Sequence, residues 1–209
     1  MQNRNSKNRI LASIFVVCFS ILPMCVSAKT IMIVGDSLSA GYGIQIEQGW
    51  VNLLKKRLEQ QYPKKHKVVN ASVSGETTSG ALARLPKLLT THKPDIVIIE
   101  LGGNDGLRGQ PPQNIQKNLA QLITQSQKSN AKVIVLGMKM PPNYGTTYQQ
   151  AFENSYKVVS NQYKVKLMPF FLKDVAGHQD LMQKDQIHPN AKAQPILLNN
   201  TYPYIKGAL

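Results

Sequence analysis

Asp185-Gln186-Ile187-His188-Pro189 sets a carboxylate and an imidazole three residues apart, close enough to share one side of a turn. Pro189 biases His188 out of helical backbone, so the pair belongs to a loop. There Asp185 can accept from one imidazole nitrogen and fix the tautomer, leaving the other nitrogen to take a proton from a hydroxyl. A candidate hydroxyl lies far upstream, at Ser37 in Gly35-Asp36-Ser37-Leu38-Ser39-Ala40-Gly41-Tyr42-Gly43. Serine needs such a base because its protonated hydroxyl is a weak nucleophile. Acyl transfer also needs donors aimed at the developing oxyanion. Three are available: the Ser37 backbone N–H, the Gly75 N–H, and the side-chain amide of Asn104 in Gly102-Gly103-Asn104-Asp105. Gly75 carries no Cβ to obstruct close approach, and Asn104 donates without adding charge.

These residues need a scaffold that brings distant loops together, and the hydropathy pattern supplies one. Apolar runs at Thr30–Val34, Lys67–Asn70, Asp95–Leu101, Lys132–Leu136 and Val165–Pro169 predict five strands. Between them, apolar residues recur at helical spacing from Trp50 to Leu58 (stopped by Pro63), over Thr78–Leu89, from Ile115 to Ser126, and from Tyr148 to Tyr163. A last helix is expected within 191–206, with Pro195 forcing a late start or a kink. Alternating strands and helices predict an α/β fold, a three-layer αβα sandwich around a parallel sheet. By analogy with flavodoxin-like folds the strand order is 2-1-3-4-5, which brings the Ser37, Gly75 and Asn104 loops to one switch point.

The chain has 209 residues, enough for one ordinary domain. Residues 1–28 carry Arg4, Lys7 and Arg9, then an apolar stretch, then Val26-Ser27-Ala28: the three parts of a signal peptide, with cleavage expected after Ala28 and an uncleaved anchor helix as the alternative. The expected product is an exported, periplasmic or secreted domain over 29–209. Both Cys18 and Cys25 leave with the leader, so the domain stands without disulfides. Losing Arg4, Lys7 and Arg9 from 25 basic residues leaves 22 against 11 acidic ones, a balance of +11. Such a surface can meet anionic lipid headgroups and envelope polymers in peripheral contact, but reads first as a generally solvated basic surface rather than a dedicated lipid-docking patch. Nucleic acid is a poor partner, because no recognition motif or basic stripe with interleaved aromatics is present.

Gly35–Gly43 (GDSLSAGYG), Gly75 in SGETTSG, GGND at 102–105 and DQIH at 185–188 together resemble the four signature blocks of the SGNH (GDSL-type) hydrolases. LGGNDGLRG, PPNYG, LMPFF and IHPNAKAQP extend the resemblance over nearly all of 29–209, toward the branch of periplasmic enzymes active on acyl thioesters, lysophospholipids and aryl esters. The resemblance implies Ser37 as nucleophile, His188 as general base then acid, and Asp185 as its orienter. The Ser37 N–H, Gly75 and Asn104 form the oxyanion hole. It also implies that Gly106–Pro112 moves over the acyl chain, with Gly106 and Gly109 permitting motion and Leu107 and Arg108 within the substrate-binding lid. Gln186 departs from the smaller or acidic residue expected there. No metal or cofactor is implied, the substrate is a small acyl ester, thioester or lysophospholipid, and the chain is expected to act as a monomer.

Other residues read as structural. Asp36 holds its loop, Asp105 is a turn residue, Glu76 caps a helix, and His66, His92 and His178 are solvated. The aromatic residues of 148–163 read as core. Two other functions compete: a metal-assisted phosphoesterase using Asp36, Asp105, Asp185 and His188, and a non-catalytic envelope-binding protein. Clustered metal-ligand spacing is missing, as are the Lys-Ser/Thr ending of a P-loop and a Gly-x-Ser-x-Gly elbow.

Overall fold

Five runs of mostly branched residues form β1 (Lys29–Gly35), β2 (His66–Asn70), β3 (Ile96–Glu100), β4 (Lys132–Leu136) and β5 (Lys166–Met168). All pair in parallel, in the order β2-β1-β3-β4-β5. This computed structural model describes residues 27–209, so the basic and apolar parts of the expected leader lie outside the described residues. The helices are α1 (Ser37–Ala40), α2 (Trp50–Gln61), α3 (Thr78–His92), α4 (Gly103–Leu107), α5 (Pro112–Lys128), α6 (Thr146–Gln162) and α7 (Gln194–Lys206). Helices α2 and α7 pack together on one side of the sheet, and α3, α5 and α6 on the other.

The central strands are covered on both faces, as their unbroken apolar runs require. Ile31–Val34 and Ile96–Ile99 are buried throughout. Trp50 is fully buried and meets Phe171 edge-on, with centroids 5.5 Å apart. Its backbone N–H, at the uncapped start of α2, donates to Gln194 Oε1 at 3.0 Å, which joins the two helices of that face. Pro195 falls in the first turn of α7, just after Gln194, where a missing N–H costs no helical hydrogen bond.

Register delivers the chemistry to one edge. Gly35 pairs with Glu100, and Ile33 with Asn70. The segments that follow β1, β2 and β3 therefore leave the sheet side by side, at its carboxyl edge.

Candidate active site

Ser37 opens α1, a helix of one turn. Asp36 caps it, accepting the Leu38 N–H on Oδ1 at 3.0 Å. Gly41 ends it at φ +81°, a conformation that costs glycine nothing. As the first helical residue, Ser37 has no intrahelical acceptor for its N–H. Its hydroxyl meets the imidazole across 151 residues of chain: His188 Nε2 lies 2.9 Å from Ser37 Oγ.

The loop holding His188 is built around Asp185. Oδ1 accepts the N–H groups of Ile187 and His188 at 2.9 and 3.0 Å, and Oδ2 sits 2.7 Å from His188 Nδ1. Partial desolvation pushes the Asp185 carboxyl up, but the His188 N–H, its ring and the Ile187 N–H outweigh this and bring it down to about 2. A depressed acid stabilises the fold above its ordinary value near 3.8, and that contribution is lost as pH falls toward 2. The loop is anchored by a bridge between Met182 and Pro189 and by the Gln183 N–H donating to the His188 carbonyl at 2.7 Å. Gln186 takes φ +58°, left-handed backbone in which a smaller or Asp/Asn-like side chain is easier to seat. Tyr42 leans on the His188 ring at 4.6 Å.

The three expected oxyanion donors lie on the adjoining loops. The Gly75 N–H, like that of Ser37, has no acceptor among the described residues. Gly75 adopts φ +78° with open space where a Cβ would point, so its conformation demands glycine rather than crowding. The Gly75 carbonyl accepts Arg108 Nη2 at 3.2 Å. Asn104 is more committed than its sequence setting suggests. Its amide donates to Asp36 Oδ2 at 3.1 Å and to the Glu76 carbonyl at 3.0 Å. Asp36 is buried, and desolvation pushes its carboxyl up to about 6 against the pull of Leu38, His188 and Asn104.

Beneath this loop lies a residue the sequence did not single out. Glu100, at the end of β3, is wholly buried. Its Oε2 accepts Ser39 Oγ at 2.7 Å and the Asp36 N–H at 3.4 Å, while Oε1 has no partner. Ser39 Oγ also accepts the Trp50 indole N–H at 3.2 Å, so one carboxyl braces the Ser37 turn against the core. The available signal was an acid closing an otherwise apolar strand. Burial, and then the Asp36 charge, raise Glu100 well above its ordinary 4.5. The stability tied to such a raised acid is complete below its ordinary value and is lost as pH rises through the elevated one. Glu100→Gln keeps an oxygen for Ser39 and Asp36 but cannot ionise. Melting followed from about pH 5 upward should show its Tm nearly unchanged at the acid end and increasingly above the parent's as pH rises, because only the parent loses this contribution. A Tm difference independent of pH would refute this account.

Some structural expectations are corrected. His66 is not solvated: both ring nitrogens are buried without partners and the ring packs edge-on against Tyr62. Desolvation, with Lys65 and Lys29 nearby, holds it below its usual value. Thr77, not Glu76, caps α3 by accepting the Gly80 N–H, and Glu76 pairs with Arg84 at 2.6 Å. Asp105 turns both oxygens onto Thr78, at 2.9 Å to its N–H and 2.6 Å to its hydroxyl. With Asp36 and Asp185 committed elsewhere, the carboxylates of the phosphoesterase alternative do not converge. Among the described residues no group of three His, Cys, Asp or Glu is placed to hold a metal ion.

A cleft of about 650 Å³ opens beside Ser37 and His188, with Leu107, Met138, Met140, Phe170, Leu172 and Ile187 among its walls. Segment 106–112, the expected lid, is tethered in this structure. Tyr144 Oη donates to the Leu107 carbonyl at 2.9 Å and Tyr148 Oη to that of Gln110 at 2.6 Å. These two aromatic residues, next to and within the stretch read as core, therefore position the segment. Gly109 has φ +68°, whereas Gly106 is buried, and a Cβ there would collide with Met140 Sδ and Phe152.

A parallel αβα sandwich with a serine, an imidazole and a carboxylate in line at its carboxyl edge is the layout of a hydrolase that works by acyl transfer. The GDSL-like Lipase/Acylhydrolase family profile matches residues 33–195, and the chain belongs to that family. It is 51% identical over 184 residues to Esterase TesA of Pseudomonas aeruginosa, covering 88% of this chain and 90% of the relative. It is 43% identical over 171 residues to Thioesterase 1/protease 1/lysophospholipase L1 of Escherichia coli K12, covering 82% and 80%. The crystal structure of the psychrotrophic esterase EstA from Pseudoalteromonas sp., inhibited by monoethylphosphonate, superposes with a TM-score of 0.82 at 46% identity, over 86% of this chain and 97% of that one. The protein is an ester hydrolase of the serine-esterase type, on the α/β fold of its relatives.

Proposed function

We propose that Ser37 is the nucleophile, that His188 takes its proton and returns it to the leaving group, and that Asp185 holds the imidazole with its proton on Nδ1. The observation that carries this reading is the unbroken contact chain from Asp185 Oδ2 through His188 to Ser37 Oγ, at 2.7 and 2.9 Å. Attack by Ser37 Oγ on an acyl carbonyl gives a tetrahedral intermediate whose oxyanion is received by the Ser37 and Gly75 N–H groups. The Asn104 amide supplies the third donor, the oxyanion competing with Asp36 for its N–H. Collapse releases the alcohol or thiol and leaves an acyl-enzyme, which water attacks with His188 again as base.

The substrates proposed are acyl thioesters, lysophospholipids and aryl or alkyl esters, with the acyl chain in the apolar cleft beside Leu107. Leu107, Arg108 and the flanking Gly106 and Gly109 form the segment that closes over it. The enzyme acts as a monomer outside the cytoplasm, after cleavage following Ala28. Treatment with a phosphonate fluoride and peptide mass spectrometry tests the nucleophile directly: the adduct belongs on the peptide containing Ser37. An adduct elsewhere, or hydrolysis that proceeds with no adduct, overturns the assignment.

A further inference from the structure

Among the described residues, the large hydrophobic side chains left exposed are Tyr42, Ile46, Val73 and Ile187, at 54, 71, 47 and 45%. None lies on a helix flank away from the site. Tyr42 and Ile46 follow the Ser37 turn, Val73 precedes Gly75, and Ile187 precedes His188. The fold ties these loops to one another. Gln183 Nε2 donates to the Tyr42 carbonyl at 2.8 Å, and the Val73 N–H to the Gly35 carbonyl at 3.1 Å. Ile187 also lines the cleft that holds Ser37, and Tyr42 leans on the His188 ring, so two of the four border the site directly. Exposed apolar residues scattered singly need no explanation, but their restriction to the loops that carry Ser37, Gly75 and His188 does.

We propose that these loops form a lipid-docking rim, which seats the enzyme on an anionic phospholipid bilayer with the cleft mouth facing the acyl chains. The proposal rests on the ester-hydrolase reading above and names the physical form in which its substrate is met. The balance of +11 over 29–209 complements anionic headgroups. Exposed Lys184 and Arg108 stand on the rim loops, against Glu47 beside Ile46, while Asp185 is turned onto His188. Among the described residues no helix is long and apolar enough to cross a membrane, so the contact is peripheral, made by loop tips inserted at headgroup level.

The test uses exported, processed protein and vesicles of phosphatidylcholine with or without phosphatidylglycerol. Vesicle binding is read by co-sedimentation in a Ser37→Ala background, so that docking is measured without turnover. Ile46→Ser combined with Val73→Ser should weaken binding about tenfold, since two apolar tips lose their insertion. In the Ser37 protein the same pair should leave kcat/KM on a soluble short-chain aryl ester unchanged and lower hydrolysis of vesicle-borne lysophospholipid by a similar factor. Lys184→Glu should weaken binding to anionic vesicles alone, and added salt should do the same to the parent protein. Equal vesicle binding by parent and double variant overturns the proposal. So does a dimer that the double variant dissolves while neither protein binds vesicles. Hydrolysis of the soluble ester without docking defeats this inference alone. Docking without hydrolysis supports it and defeats the catalytic reading instead.

Discussion

Ser37→Ala should leave a folded protein whose turnover of a soluble aryl ester is about 10³–10⁶-fold lower. The substitution removes one oxygen whose bond is to His188 Nε2. Alanine suits the first turn of α1, and the Asp36 cap, the Gly41 end and the Glu100–Ser39–Trp50 brace are untouched. Melting should therefore be close to the parent's, and the loss should appear in kcat rather than KM. What remains is the contribution of the donors and the cleft acting on water. Turnover within tenfold of the parent, on a chain labelled nowhere by phosphonate, would end the case for Ser37.

Asp185→Asn should cost about 10³–10⁴-fold in kcat, because it inverts the imidazole while sparing the loop. The asparagine oxygen can still accept the Ile187 and His188 N–H groups now bound by Oδ1. Its amide nitrogen then faces His188 Nδ1, where Oδ2 stood. Two N–H donors cannot face each other, so the ring proton moves to Nε2, the atom opposite Ser37 Oγ. That nitrogen can no longer take the serine proton. Asp185→Ala removes the loop anchors as well, so it should lower both kcat and Tm. The diagnostic is the pair of variants: the Asn form should melt near the parent while being nearly as inactive as the Ala form. An Asn variant with more than about a tenth of parental kcat would show that the carboxylate does not set the tautomer.

Much of this site was legible from residue types and spacing. Asp185 and His188 are three apart, so their pairing is local and the proline after them excludes helix. The strands of 30–34 and 132–136 are short apolar runs between breakers, and β4 has the bounds its pattern suggests. Other features depended on neighbours far along the chain. Glu100 looks like the polar end of a strand, and only the pairing of Gly35 with Glu100 sets it beneath Ser39. The double commitment of Asn104 requires the Asp36 and Glu76 loops to arrive from two other strands. His66 reads as a solvated edge residue until Tyr62 covers it.

Composition and periodicity by themselves determined the alternation of elements and the parallel sheet, because both follow from chain-local chemistry, side-chain period and turn residues; Asp185 and His188 stood out by their spacing, whereas Ser37 was singled out only through the resemblance its block shares with the other three. Tertiary structure alone decided that Ser37 Oγ and His188 Nε2 stand 2.9 Å apart, which carboxyls are driven toward their neutral forms, and that Tyr42, Ile46, Val73 and Ile187 are left exposed. Those are properties of register and burial. Hydrogen bonding at this range depends on tenths of an ångström, and desolvation depends on which segments cover a group, neither of which is encoded in any single stretch of residues.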